Sequence, residues 1–139
     1  MSTYGETLTY SQWQNAWSDP NISEIDCLAR VIYAEDTVNV AGEYAVAKEI
    51  WNRKMSGNSK RFARDKVNLT WKNIIFKSAE YNVATGSEEH CKHAMKPTKN
   101  RYWDNCVARA SELVAGAVPS SLLGDRSIIV RVVLLVRQE

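Results

Sequence analysis

The sequence predicts a small, mainly α-helical domain (α+β if a short C-terminal β-strand is counted). Apolar residues recur three and four positions apart over residues 25–35, 40–54 and 103–117, which is the period of an amphipathic helix. Residues 127–136 form an apolar, β-branched run that is too short to cross a bilayer and is typical of a strand.

The composition predicts one globular domain over residues 1–139. Hydrophobic residues make up 45% of the chain and charged residues 24%, and a chain of this length buries about two thirds of its unfolded surface. Within the domain we expect an N-terminal helical extension over 1–20 and an atypical apolar tail over 126–139. The net charge of +2 is too small for a dedicated nucleic-acid-binding protein, so nucleic acid is not expected as a partner. A membrane is not expected as a partner either.

The first two helices are predicted from their ends. A short helix lies between residues 9 and 17, and the turn-forming residues 19–21 close it. Ser23 and Asp26 stand three positions apart and approximate a capping box that opens the second helix.

Later segments also carry helix signals. Residues 40–54 predict a helix that packs on the second one as a hairpin. Its predicted apolar stripe consists of Val40, Tyr44, Ala47 and Trp51. Thr70 and Ser87 each cap a shorter helix, and the longest pattern ends at residues 118–119.

Glu35 ends the apolar face of the second helix. Ile25, Leu28, Ile32 and Glu35 are three or four positions apart and share one helix face. A carboxyl group beside the core loses water, which raises its pKa and leaves it able to donate a proton near neutral pH. Cleavage of a glycosidic bond requires such a donor. The same spacing also fits a Glu35 that frays into solvent.

Residues around this glutamate resemble a known family. The segment 29–35, ARVIYAE, is followed by Gly42, by residues 45–47, AVA, and by residues 52–53, NR. This pattern resembles the opening signature of the spore cortex-lytic cell-wall hydrolases. In that family the glutamate that ends the first segment is the catalytic acid, and members cleave peptidoglycan glycan strands. The resemblance implies a lysozyme-like or lytic-transglycosylase-like helical domain that acts on peptidoglycan without a cofactor.

The resemblance also suggests residues that bind the sugar. The family carries an aromatic residue and then a small hydroxyl residue facing the substrate, and Tyr81 with Asn82 is the nearest match. An aromatic face stacks on a pyranose ring, while an amide bonds its hydroxyl or acetamido groups. We expect Trp71, Tyr102 and Glu43 to add contacts. The alternative for Tyr81 is that it packs its loop onto the core.

The chain departs from the family pattern immediately after Glu35. It reads DTVN at residues 36–39, is about one residue short, and lacks the second glutamate of the family. Asp36 is adjacent, but consecutive helical residues point about 100° apart. Glu43 is another candidate, although the helix dipole also favours a carboxylate at a helix start. The family's Tyr- and Asn-rich ending is missing after Asp125.

The number of acids bears on the reaction. Hydrolysis of a β-1,4 glycan normally needs two carboxylates. A lytic transglycosylase needs one, because the same glutamate protonates the leaving oxygen and then assists attack by the substrate's own 6-hydroxyl. We therefore expect Glu35 to cleave between N-acetylmuramic acid and N-acetylglucosamine by transglycosylation. Convergence of Asp36, Glu43 or Glu80 on Glu35 would instead allow hydrolysis.

A basic segment over residues 54–72 supports a competing hypothesis. It contains six lysines and arginines opposed only by Asp65, which is typical of a solvated loop but also attracts polyanions. The alternative function is an inactive or binding-only helical module that recognises wall polymer or nucleic acid through this segment.

The cysteine and histidine residues predict neither a disulfide framework nor a metal site. Cys27 lies among apolar helical positions, where a buried free thiol is common. The sequence leaves a disulfide between Cys91 and Cys106 as an alternative. His90 and His93 lack a carboxylate or second cysteine at ligand spacing, so no metal is expected.

The N-terminus lacks the basic and apolar regions of a secretory signal peptide. An enzyme that acts on the cell wall or spore cortex would then reach it by deposition in a spore, by release through a phage holin, or after removal of a signal.

Overall fold

A computed structural model describes residues 4–35 and 40–120 of the protein. These two ranges contain eight α-helices and one short 3-10 helix and no β-strand, so the prediction of a mainly helical domain is confirmed. The predicted strand over 127–136 and the apolar tail over 126–139 lie outside the described residues. The helices are α1 (Tyr10–Gln14), the 3-10 helix (Ala16–Ser18), α2 (Glu24–Glu35), α3 (Val40–Met55), α4 (Ser59–Phe62), α5 (Trp71–Ile75), α6 (Asn82–Thr85), α7 (Glu88–Met95) and α8 (Arg101–Val114).

Helix α2 lies at the centre of the fold. It packs most extensively against α8 and also contacts α3, α5, α6 and α7. Every residue of α2 from Asp26 to Tyr33 is buried, which is the pattern of a helix surrounded by other helices. The residue that ends this helix, Glu35, is therefore carried by the most firmly packed element of the domain.

The N-terminal segment from residue 4 onward contains α1 and the 3-10 helix and packs onto the core. Thr9 caps α1 and forms a full capping box with Gln12. Trp13 is completely buried, its ring lies 5.0 Å from that of Phe76, and its Nε1 donates to the carbonyl of Val83 at 2.9 Å. A large aromatic residue buried this way stabilises the whole domain.

The start of α2 is held by a buried ion pair in addition to its cap. Ser23 Oγ accepts from the Asp26 N–H at 3.0 Å, as the predicted cap requires. The Asp26 carboxylate does not complete the box and instead accepts from Gly5 N–H at 3.0 Å and Arg30 Nε at 2.9 Å. Arg30 also donates to the carbonyl of Ala94, so it connects α2 to the end of α7.

Helix α3 buries a different stripe from the predicted one. Glu43, Ala47 and Ile50 are completely buried, whereas Tyr44 and Trp51 are half-buried beside them. The stripe is rotated because α3 packs against α8 and α5 as well as α2, instead of forming a simple hairpin with α2.

Helix α8 ends four residues before the predicted end at 118. Gly116 has a φ of +81°, a left-handed conformation that glycine adopts easily. Its N–H bonds to the Leu113 carbonyl at 3.0 Å, and the Ala117 N–H bonds to the Glu112 carbonyl at 2.9 Å. These bonds stop the helix. Trp103 belongs to the core as predicted. None of the helices over 4–35 and 40–120 is long and apolar enough to span a membrane.

Candidate active site around Glu35

Glu35 is the last residue of α2 and is exposed, whereas Leu28 and Ile32 on the same face are completely buried. The side chain is therefore at the rim of the core and open to solvent. Partial burial raises the pKa of Glu35, and the nearby charge of Glu49 raises it further. Glu35 thus combines access to a ligand with a pKa raised above its ordinary value, and both properties favour a proton donor.

Glu49 on α3 is fixed by two neighbours. The Tyr81 hydroxyl donates to Glu49 Oε1 at 2.7 Å, and Arg53 Nη2 lies 3.4 Å from the same oxygen. The Glu49 side chain is 55% exposed. Arg53 also pairs with Glu80 through Nη1 at 3.1 Å, and its guanidinium lies 5.2 Å from the centre of the Tyr81 ring. We call Glu49, Arg53, Glu80 and Tyr81 the Arg53 cluster.

The ring of Tyr81 is enclosed by the core. It is only 3% exposed, and burial, the hydrogen bond to Glu49 and the charges of Glu49 and Glu35 all raise the pKa of its hydroxyl. The ring therefore packs its loop onto the core, which was the alternative to sugar stacking. Asn82 follows at the start of α6 with an exposed side chain that remains open to a ligand.

Two further aromatic residues expected to bind sugar are partly enclosed. Trp71 is 8% exposed on α5, and Lys54 Nζ lies 5.3 Å from the centre of its ring. Tyr102 is half-buried on α8, and its ring lies 5.6 Å from that of Tyr33, near the end of α2. Tyr102 thus lies beside the last turn of α2 on the side of Tyr33, with part of its surface open.

Glu43 is placed in the core and not in a substrate groove. It is completely buried, and its Oε1 lies 3.5 Å from Nε of Arg109, which is itself completely buried. Arg109 Nη1 also pairs with Glu112 at 3.2 Å. The expectation that Glu43 contacts substrate is corrected by this burial, because the carboxylate has no surface that a sugar could reach. Asp36 lies outside the described residues.

The described part of the chain shows no group that could hold a metal ion, namely three or more histidine, cysteine or acidic side chains together. Within residues 4–35 and 40–120, Cys27, Cys91 and Cys106 are all buried thiols that form no disulfide.

Glu49 was missed by the sequence reasoning. Its only local signal is the four-residue spacing to Arg53, which is typical of an ordinary ion pair on a helix surface. Its contact with Tyr81 crosses 32 positions and depends on the fold.

No protein-family model matches the chain, and no curated protein or solved structure matches it either. The relation to cell-wall hydrolases and the lysozyme-like fold therefore stay predictions, carried by the motif around Glu35.

Proposed function

We propose that this protein cleaves the β-1,4 bond between N-acetylmuramic acid and N-acetylglucosamine in peptidoglycan, with Glu35 as its catalytic acid. The observation that carries the proposal is the setting of Glu35 at the exposed end of an otherwise buried helix, where its pKa is raised. The raised pKa increases the fraction of Glu35 that carries a proton at a given pH, and the exposed carboxyl group can deliver that proton to a glycosidic oxygen.

Lytic transglycosylation is the reaction that the arrangement supports best. Glu35 gives its proton to the leaving oxygen as the bond from that oxygen to C1 of the muramic sugar breaks. The Glu35 carboxylate then takes the proton of the 6-hydroxyl, whose oxygen attacks C1 and forms a 1,6-anhydro sugar. Oε1 of Glu49 is already engaged by the Tyr81 hydroxyl and by Arg53, which favours this route over one that needs a second carboxylate as general base.

The exposed side chain of Asn82 and the half-buried ring of Tyr102 are the proposed sugar contacts. Most of the surface of Tyr81 and Trp71 is enclosed, so we assign these two residues a packing role and not a stacking contact with the sugar.

The proposal is tested by incubating the protein with purified peptidoglycan, both vegetative and spore-cortex, and identifying soluble fragments by mass spectrometry. Glu35→Gln should lower the rate by about 10²- to 10⁴-fold, the usual contribution of a general acid. Glu89→Gln is the matched control, since Glu89 is 77% exposed on α7 and its loss changes the net charge equally.

The products distinguish the outcomes. Fragments ending in anhydromuramic acid support transglycosylation, and fragments with reducing ends would show hydrolysis. No fragments from the folded wild-type protein, or full activity in Glu35→Gln, would overturn the proposal.

A binding-only module is the second candidate, and the exposure of the basic segment favours it. Lys60, Arg61, Arg64 and Lys66 are all exposed, and Met55 and Val67 add exposed apolar surface. This candidate predicts that wall polymer or nucleic acid binds without turnover, that the affinity falls steeply with salt, and that Glu35→Gln binds as the wild type does.

A further inference from the structure

A small cavity, which we call the Arg64 cavity, lies between α1, α6 and the two loops that flank α5. Its volume is about 190 Å³, and its lining residues are Gln14, Arg64, Phe76, Ser78, Ala84 and Thr85. Phe76 and Ala84 are almost completely buried. Arg64 and Ser78 are exposed, so the cavity opens to solvent beside a cation. About six water molecules fill such a space at about 30 Å³ each, so a ligand enclosed in it has about six non-hydrogen atoms.

Arg64 is the only charged residue among these six, and three contacts hold it in place. Its backbone N–H donates to the Asn73 carbonyl at 2.9 Å, and its Nη1 donates to the Phe76 carbonyl at 3.3 Å. Its guanidinium carbon lies 4.2 Å from the centre of the Trp17 ring. Within residues 4–35 and 40–120, Arg64 forms no ion pair. A guanidinium has five N–H donors, so Arg64 keeps both its charge and most of its donors for a ligand.

The acidic residues next to the lining residues in the chain are engaged elsewhere. The Asp65 carboxylate accepts three hydrogen bonds of 2.7–3.0 Å from groups of residues 67–68. Glu80 pairs with Arg53 at 3.1 Å in the Arg53 cluster. Neither acid therefore neutralises Arg64, and a ligand with one negative charge balances this single cation.

The loops that carry Arg64 and Ser78 contain backbone strain. Each of these two residues is the second residue of a turn closed by a backbone hydrogen bond, of 3.1 Å and 3.2 Å respectively. Lys66 ends the first turn with a φ of +63°, and Ala79 follows Ser78 with a φ of +65°. Side chains other than hydrogen rarely adopt this left-handed conformation. No other non-glycine residue of the described ranges has a positive φ, and strain of this kind concentrates at ligand-binding sites.

Three uncharged polar side chains complete the lining. Gln14 is half-buried on α1, and neither its amide nor the Ser78 hydroxyl forms a hydrogen bond within the described part of the chain. Both groups can donate to a carboxylate. The Thr85 hydroxyl donates to the Tyr81 carbonyl at 3.2 Å, which leaves its oxygen as an acceptor for an N–H of the ligand.

We propose that the Arg64 cavity binds the carboxylate of a small α-amino acid, either free or as the last residue of a peptide. Arg64 pairs with the carboxylate, and Gln14 and Ser78 donate to its oxygens. Thr85 Oγ1 accepts from the N–H on the α-carbon, and the buried apolar surface contacts a side chain the size of a methyl group. Nucleotides and disaccharides are too large, because ligands of drug size occupy about 300–1,000 Å³. This site does not depend on the proposed role of Glu35.

The test is an NMR titration of ¹⁵N-labelled protein with racemic N-acetylalanine at constant ionic strength. In the wild type we expect saturable shifts of the backbone amides of Ser78 and Thr85. Arg64→Met keeps much of the apolar stem but removes the charge, and it should weaken binding at least about tenfold, the usual cost of losing a hydrogen bond to a charged group. Arg101→Met is the matched control, since Arg101 is exposed at the start of α8 and does not line the cavity.

A second variant and two further probes complete the design. Gln14→Leu keeps the size of the side chain and removes its amide, so it should weaken binding about two- to tenfold. Circular dichroism and urea unfolding establish that each variant is folded. N-acetylalanine amide lacks the carboxylate and should not bind. Free alanine identifies the source of the ligand: binding as tight as that of N-acetylalanine indicates a free amino acid, and weaker binding indicates the end of a peptide.

The opposite results overturn the proposal. These are no saturable shifts in the folded wild type, binding of N-acetylalanine amide as tight as that of the acid, or unchanged binding in folded Arg64→Met and Gln14→Leu. An equal loss in Arg101→Met also overturns it, because the effect is then one of net charge. The titration involves no cleavage of peptidoglycan, so its outcome is separate from that of the proposed function.

Discussion

Replacing Arg30 by methionine tests how firmly the helix that carries Glu35 is held. The Arg30 side chain is completely buried. Its Nε pairs with Asp26 at 2.9 Å, its Nη1 donates to the Ala94 carbonyl at 2.7 Å, and its Nη2 donates to the Glu6 carbonyl. Methionine has comparable length and fills much of the space but donates no hydrogen bond. Nη1 also donates to the Met95 carbonyl at 3.3 Å, so the variant removes a donor from a buried carboxylate and three main-chain carbonyls.

The expected loss of stability is about 3 kcal/mol. Breaking a buried ion pair by removing one partner costs about 3–5 kcal/mol. Asp26 retains the hydrogen bond from Gly5 N–H at 3.0 Å, and 10% of its side chain is exposed, which favours the lower part of that range. Urea unfolding followed by tryptophan fluorescence measures the change. With a slope of about 2 kcal/mol per molar urea, the midpoint should fall by about 1.5 M.

A second variant identifies the cause of the loss. In the Asp26→Asn, Arg30→Met double variant no charge is left buried alone, so the loss should be smaller than the sum of the two single losses. A loss of less than about 1 kcal/mol in Arg30→Met, or strictly additive single losses, would refute the reasoning.

Two further predictions concern the core. Trp13→Ala should destabilise the domain by about 3–5 kcal/mol, the usual cost of truncating a buried tryptophan, and a smaller effect in urea unfolding would contradict the packing of Trp13 into the core. Burial raises the pKa of the Cys27 thiol from 9.0 to about 12. The folded protein should therefore resist alkylation at Cys27 at pH 8, as mapped by peptide mass, and rapid modification under native conditions would contradict this. Because the folded state holds the thiol proton more tightly, the stability from Cys27 is complete below pH 9 and declines as pH rises toward 12.

The helices that could be predicted are those whose signals are local. Thr70 and Ser87 cap helices as expected, because a cap is a hydrogen bond between a side chain and a backbone group three residues later. The burial of α3 depends on partners that are distant in sequence. Glu43 lies in the first turn of α3, where the helix dipole favours a carboxylate. It is nevertheless buried in the core, where it pairs with Arg109. The period of apolar residues cannot predict that such a pair is buried, because it counts both residues as polar and assigns them to the surface.

The same distinction explains the Glu35 site. Glu35 was predictable because its helix carries the apolar face that ends at it, and the pKa follows from how that face is buried. Glu49 and Arg53 look like a surface ion pair, which contributes little when both partners are solvated. Tyr81, which is 3% exposed, changes this by placing a buried hydroxyl against one Glu49 oxygen. The contact between Glu49 and Tyr81 joins residues 32 positions apart, so it follows from the packing of the segment that leads into α6 and not from the motif around Glu35.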